Sequence, residues 1–154
     1  MPKDDIYWME KALLLAKTAA ELGEVPVGAI VVAECDGEFE VIGEGSNAPI
    51  RYCDPTAHAE VIALRSASEK AKNYRLPEST LYVTLEPCTM CFGAMVHARI
   101  KRLVYAASEP KAGVISSNLQ LHQAAIYNHT IEVTGSVMED SAKALMQSFF
   151  KSRR

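Results

Sequence analysis

The chain has 154 residues, 49% of them hydrophobic and 23% charged, which suits one globular domain spanning residues 1–154 and leaves little room for two. Its formal net charge of −3 offers no general attraction to a polyanion, so a nucleic-acid partner needs a local basic patch. The polar start and the short Leu13-Leu14-Leu15 run suit neither a signal peptide nor a membrane span, so a cytoplasmic, reducing location is expected, where four cysteines do not favour structural disulfides.

In chain order, Ile6, Met9, Leu13, Ala16 and Ala20 recur at helical spacing and predict a helix over 5–22 that stops at Gly23. Val27–Ala33 and Phe39–Gly43 are β-rich runs around Cys35-Asp-Gly-Glu38, the pattern of a hairpin. Gly45 to Pro55 is dense in turn residues and predicts a loop. Thr56 is the expected N-cap of a helix from about His58 to Lys72. Thr80–Leu85 predicts a buried strand ended by Pro87, Thr89–Ala98 a helix, and Arg102–Ala106 another strand. Beyond them lie a loop at 108–117, a short helix near Leu119–Ala125, a strand at Ile131–Thr134 and a last helix from Glu139. Alternating strands and helices predict an α/β layered domain, with a sheet made mixed by its opening hairpin.

Two segments carry the chemistry: His58-Ala-Glu60 and Pro87-Cys-Thr-Met-Cys91. Cysteines three apart at a helix start share one face, so both thiolates can meet one ion. Residues two apart in mid-helix diverge, but at the first turn His58 and Glu60 can both reach beyond the helix end. The spacing therefore predicts a zinc ion between two helix N-termini, one per chain, held by His58, Cys88 and Cys91. Unpaired N–H groups and partial positive charge there stabilise thiolates. Three protein ligands leave a fourth position for water, the arrangement of a catalytic zinc. Glu60 is the expected catalytic proton carrier beside that water. H-x-E combined with P-C-x-x-C is the signature of zinc-dependent nucleobase deaminases. Cys53, five residues before His58, is a possible fourth ligand of a structural site, although that leaves Glu60 without a role. His97, His122 and His129 lack ligand spacing.

The similarity extends further. Glu24-Val-Pro-Val-Gly-Ala29, Asp54-Pro-Thr-Ala-His-Ala-Glu60, Tyr74-Arg-Leu, Leu81 to Cys91, Gly93-Ala-Met and Ser148-Phe-Phe-Lys-Ser-Arg-Arg154 closely resemble bacterial tRNA-specific adenosine deaminases. The resemblance implies a three-layer α/β/α cytidine-deaminase-like fold with a five-stranded mixed sheet, and a homodimer with active sites built across its interface. It implies hydrolytic conversion of the wobble adenosine in a tRNA anticodon loop to inosine, by a zinc-activated hydroxide with a glutamate proton shuttle. No membrane or nucleotide cofactor is implied. Asn47 is expected to hydrogen-bond the everted base, with backbone N–H groups near Cys88 and Val27–Ala29 bordering the pocket. Lys111, Phe149, Phe150, Lys151, Arg153 and Arg154 are candidate substrate contacts, supplying the basic and aromatic groups that the net charge lacks. Packed phenylalanines and a solvated charged terminus are the plainer reading of the tail.

One stretch departs from the family pattern. Glu109-Pro-Lys-Ala-Gly113 stands where Asp-x-Lys-x-Gly is common, lengthening the acidic side chain and stiffening the loop. Two other functions fit the same metal signature: deamination of a free base or nucleoside of the guanine or cytosine type, and a zinc-stabilised RNA-binding partner subunit. The basic tail and Lys111 favour tRNA over the first, and the presence of Glu60 argues against the second.

Overall fold

The computed structural model describes residues 3–153, which form five strands and five α-helices. Helix α1 (Asp5–Glu21) is capped by Asp4, whose carboxylate accepts the Tyr7 N–H at 2.9 Å. Strands β1 (Gly28–Cys35) and β2 (Glu38–Ser46) follow as an antiparallel hairpin. Asp36 and Gly37 turn it with φ of 52° and 81°, the two positive values of a tight hairpin turn. After a short helix α2 (Pro49–Tyr52) come α3 (Ala59–Ala71), β3 (Ser79–Leu85), α4 (Thr89–Ala98) and β4 (Arg102–Ala107). A 3-10 turn at Leu121–Gln123, β5 (Glu132–Thr134) and α5 (Glu139–Ser152) complete the order.

The sheet runs β2-β1-β3-β4-β5, antiparallel from β2 to β3 and parallel from β3 to β5. It is the expected five-stranded mixed sheet in a three-layer α/β/α arrangement. Strand alternation divides the core in two. Ile30, Val32, Tyr82 and Val104 pack under α1 and α5 with Trp8, Met9 and Ala142. Ala29, Val31, Leu81 and Val83 face the other way, against Ala59, Ala63, Phe92 and Met95 of α3 and α4. Among the described residues, no helix is long and apolar enough to cross a membrane.

Glycine sets how closely α3 lies on the sheet. A Cβ on Gly45 would run into the Ala59 carbonyl, and one on Gly43 into the Ala63 carbonyl. Alanines at 59, 63 and 67 complete this close contact. The first turn of α3 is thereby pinned against the sheet.

Three boundaries differ from those expected of the sequence. Gly45-Ser46 continues β2, because Gly28 and Ala29 pair with them. The 119–125 segment condenses to a single 3-10 turn. Thr56 does not cap α3: its N–H and hydroxyl both bond Asp54 Oδ1, at 2.8 and 2.7 Å. That local turn uses up the segment before the helix, and His58 becomes the N-cap position. Asn47, on the neighbouring loop, supplies the missing acceptor: its Oδ1 takes the Ala59 N–H at 3.2 Å.

The opposite face is tied down by charge. Arg102 of β4 grips Asp5 at the start of α1 through two bonds of 2.8 and 2.6 Å. The Tyr82 hydroxyl donates to the same carboxylate at 2.8 Å. The Arg102 hydrogen bonds, opposed by burial and aided by Tyr82, hold Asp5 below its ordinary value of 3.8. The pair is only partly buried, which limits its worth. Asp5→Asn is expected to cost about 1 kcal/mol at neutral pH in denaturant unfolding. Because the folded carboxyl is depressed, its stabilisation is complete above the ordinary Asp value and lost as pH falls through the folded one, so the gap to wild type closes below about pH 4.

Candidate active site

Helices α3 and α4 each begin on a predicted ligand. His58 and Cys88 are their N-caps, with extended backbone (φ −74°, ψ 150° and φ −85°, ψ 177°), and neither side chain caps its own helix. Both are free to reach past the helix end. Glu60 follows at the second helical position of α3 and Cys91 at the third of α4. One ligand-forming atom each from His58, Cys88 and Cys91 lies within 4.8 Å of the others. His58 Nδ1 is 3.7 Å from Cys88 Sγ and 3.4 Å from Cys91 Sγ. Tetrahedral zinc with bonds of about 2.0–2.3 Å sets its ligand atoms roughly 3.4–3.8 Å apart, so the donor set and spacing fit that ion. Cys53 stands outside this cluster; its exposed thiol points to the Ile50 carbonyl.

Beside the cluster lies a pocket of about 310 Å³. Asn47, Glu60, Val25, Val27 and Glu109 line it with His58 and Cys88. Its size is at the lower end of ligand sites, near 300 Å³, and suits a single base. Glu60 is 4% exposed. Burial pushes its carboxyl up to about 7, where it can both take and give a proton near neutrality. The Cys91 thiol hydrogen bond, opposed by burial and joined by His58, draws Cys88 down to about 4. The hydrogen bond to Cys88 raises His58, while the same pairing and burial raise Cys91. Metal binding requires both thiols deprotonated and the imidazole neutral, so it releases protons from this cluster.

The other predicted residues fall at the margins. Lys111 is exposed, in the segment whose Glu109 and Ala112 border the pocket. Glu109 turns back so that its Oε1 accepts the Lys111 N–H at 2.9 Å, which fixes the lengthened acid within its own loop. Phe149 and Phe150 stack edge-on at 5.4 Å, and the Arg153 guanidinium lies 4.5 Å from the Phe149 ring centre. Phe150 and Lys151 are exposed, so the tail is not simply packed inward. Arg153 reaches the neighbourhood of Gly23, two residues from the pocket residue Val25. Arg154 lies outside the described residues. Of Val27–Ala29, Val27 borders the pocket, whereas the Gly28 N–H is taken by the Thr84 hydroxyl and Ala29 lies within β1.

Two buried acids escaped the sequence reading. Glu24, 1% exposed, accepts the Ile50 and Arg51 N–H groups at 3.2 and 2.8 Å and so holds α2 beside the pocket. Glu86, 2% exposed, lies between β3 and the first cysteine ligand and accepts N–H groups from Glu109, Ile115, Ser116 and Ser117. Burial alone would raise its carboxyl, but the Ser117 hydroxyl and these N–H groups outweigh it and bring the value to about 2. Its signal in the sequence is an acid closing an apolar strand directly before a proline.

The sequence matches the MafB19-like deaminase family over residues 3–154. It is 51% identical over 150 residues to the tRNA-specific adenosine deaminase of Haemophilus influenzae, covering 97% of this chain and 85% of that one. It is 37% identical to the Bacillus subtilis enzyme of the same name, covering 100% and 92%. A solved structure from studies of A-to-I editing by tRNA:A34 deaminases at the wobble position superposes with a TM-score of 0.84 at 40% identity, covering 90% of this chain and 98% of that one. The guanine deaminase of Nitrosomonas europaea has a TM-score of 0.78 at 25% identity, with 97% and 86% covered. A His-Cys-Cys cluster able to hold a metal ion on this fold and relatives matched almost end to end agree: the chain belongs to the tRNA-specific adenosine deaminases of the cytidine-deaminase superfamily.

Proposed function

We propose that this chain deaminates the wobble adenosine of a tRNA anticodon loop to inosine, with zinc held by His58, Cys88 and Cys91. The carrying observation is the convergence of that ligand set with buried Glu60 on one base-sized pocket. The identity to tRNA-specific relatives supports the choice of base and carrier. A bound zinc ion supplies Lewis-acid activation of water. In the net reaction a C6–O bond forms, the C6–N6 bond breaks, and water and adenosine become inosine and ammonia. Glu60 moves two protons in turn, the first from the water to ring N1 and the second from the hydroxyl on C6 to the departing N6, a cycle its raised value favours. Asn47 orients the base: its Oδ1 is committed to α3, which leaves its amide NH2 to donate into the pocket.

The anticodon loop suits this pocket because its bases evert without the breaking of a duplex. Lys111 contacts the RNA backbone beside the pocket, and the Phe149, Phe150, Lys151, Arg153 and Arg154 tail extends the footprint. A cytoplasmic location fits a site that requires two reduced cysteines. A homodimer is supported by the face of α3 and α4, where Val61, Leu64, Tyr74, Ala94 and His97 line an apolar cleft with Tyr74 66% exposed.

Incubation with an unmodified anticodon stem-loop is expected to yield inosine, read by nucleoside mass spectrometry, and a chelator should abolish it. Rapid turnover of free nucleosides or bases with none on the stem-loop contradicts the tRNA assignment. Glu60→Gln should retain one zinc per chain, measured by elemental analysis, while turnover falls by at least ~10³-fold. Full activity in that variant rejects the proton-carrier role. Sedimentation should give a mass of two chains, and Tyr74→Glu on the same face, at an exposed position, should shift it to one.

A further inference from the structure

The pocket wall formed by the segment after β4 is anchored chiefly on one buried carboxylate, beside a Tyr105–Ser116 hydroxyl contact of 2.9 Å and a bond from the Val114 N–H to the Pro87 carbonyl. Parallel pairing of β3 with β4 sets Leu85 opposite Ala107, so the segments leaving the two strands run side by side. Glu86 takes five hydrogen bonds from the second segment: Oε1 accepts from the Glu109 N–H and Ser117 hydroxyl, and Oε2 from the Ile115, Ser116 and Ser117 N–H groups. Gly113 makes the closure possible, because a Cβ there would collide with the Glu86 carboxylate and the Glu109 carbonyl. Asn118 seals the segment from outside through the Pro110 and Gly113 carbonyls, at 3.1 and 3.0 Å.

We propose that Glu86 is a positioning residue that holds residues 109–117 in their RNA-binding shape before the substrate arrives; the RNA part of this inference rests on the tRNA reading above. Glu86 also borders the pocket, but both its carboxylate oxygens are taken up by the segment that carries Glu109 and Lys111, and it acts through that segment. A wall ordered in advance does not have to be ordered at the moment of binding. Loss of the anchor therefore weakens capture of the stem-loop and spares the chemical step, which belongs to the other side of the pocket. Gln at this position keeps the shape, but its NH2 group faces donors where an acceptor is required.

The test compares Glu86→Gln and Gly113→Ala with the parent chain. Both variants should retain one zinc per chain, and their Ile115–Ser117 amides should exchange hydrogen at least ~10-fold faster. KM for the anticodon stem-loop should rise about tenfold in both, with kcat changed less than about threefold. A fall in kcat at unchanged KM, loss of zinc, or unchanged amide exchange overturns the proposal, as does faster exchange with unchanged KM. If Glu86→Gln does not fold, Ser117→Ala takes its place: it removes one donor, keeps the carboxylate, and should raise KM about threefold. Failure of the parent chain to produce inosine overturns the tRNA reading, while the exchange comparison still decides whether Glu86 anchors the wall.

Discussion

Everything at this site depends on two helices starting at the same point in space. A helix N-terminus presents N–H groups without intrahelical partners and a partial positive charge, and α3 and α4 bring two such ends together. Extended N-cap residues let His58 and Cys88 project past their helices, which a residue one turn further in could not do. Glu60 and Cys91 still lie in the first turn and share the same space. The convergence is enforced from below: Gly43 and Gly45 let α3 settle on β2 at backbone contact, so its first turn has no freedom to slide. Asn47 then fills the acceptor role that a histidine at the cap cannot, and becomes part of both the helix and the pocket.

The site also holds a concentration of buried acid. Glu24, Glu60 and Glu86 are all under 5% exposed within a few residues of the pocket. An unpaired buried carboxylate is prohibitively costly, and each of these meets the cost differently. Glu24 and Glu86 accept N–H groups from the segments they hold, which turns each into a fastener. Glu60 has no such cradle, and burial lifts its carboxyl towards neutrality instead. Three acids of one chemical type thus divide into two structural anchors and one carboxyl poised near neutrality. The number of donors around each decides the role.

Much of this was legible in the chain. The helical spacing from Ile6 to Ala20, the Asp-Gly turn and the apolar run of β3 are local signals; they placed α1 and β3 within one residue and the hairpin within two, except for the far end of β2. His58, Cys88, Cys91 and Glu60 were legible because metal chemistry demands particular residue types at particular spacings. Thr56 misled because its partner is the adjacent Asp54 rather than the helix, a competition between two local hydrogen-bonded turns. Gly45 and Ser46 read as a loop because their strand character comes from pairing with β1 and close packing of α3, which no local window contains. Glu86 was invisible for a similar reason: its five donors lie 23 to 31 residues away.

That division between local and distant information follows a functional one. The ligand cluster sits on helix starts, whose geometry the main chain dictates, and the superposition with a guanine deaminase puts a different substrate on the same fold. Choice of substrate must then arise outside the ligand cluster, and two segments border the pocket there: α2 through Pro49, and the stretch after β4 through Glu109 and Ala112. Neither carries much regular structure of its own. Buried carboxylates hold both to the sheet, Glu24 from the segment leading into β1 and Glu86 from the end of β3. Each anchor is continuous with a strand that also positions the metal site. A change in either border can therefore alter what the pocket accepts while His58, Cys88, Cys91 and Glu60 stay in register, because the anchor and not the helix start absorbs the change.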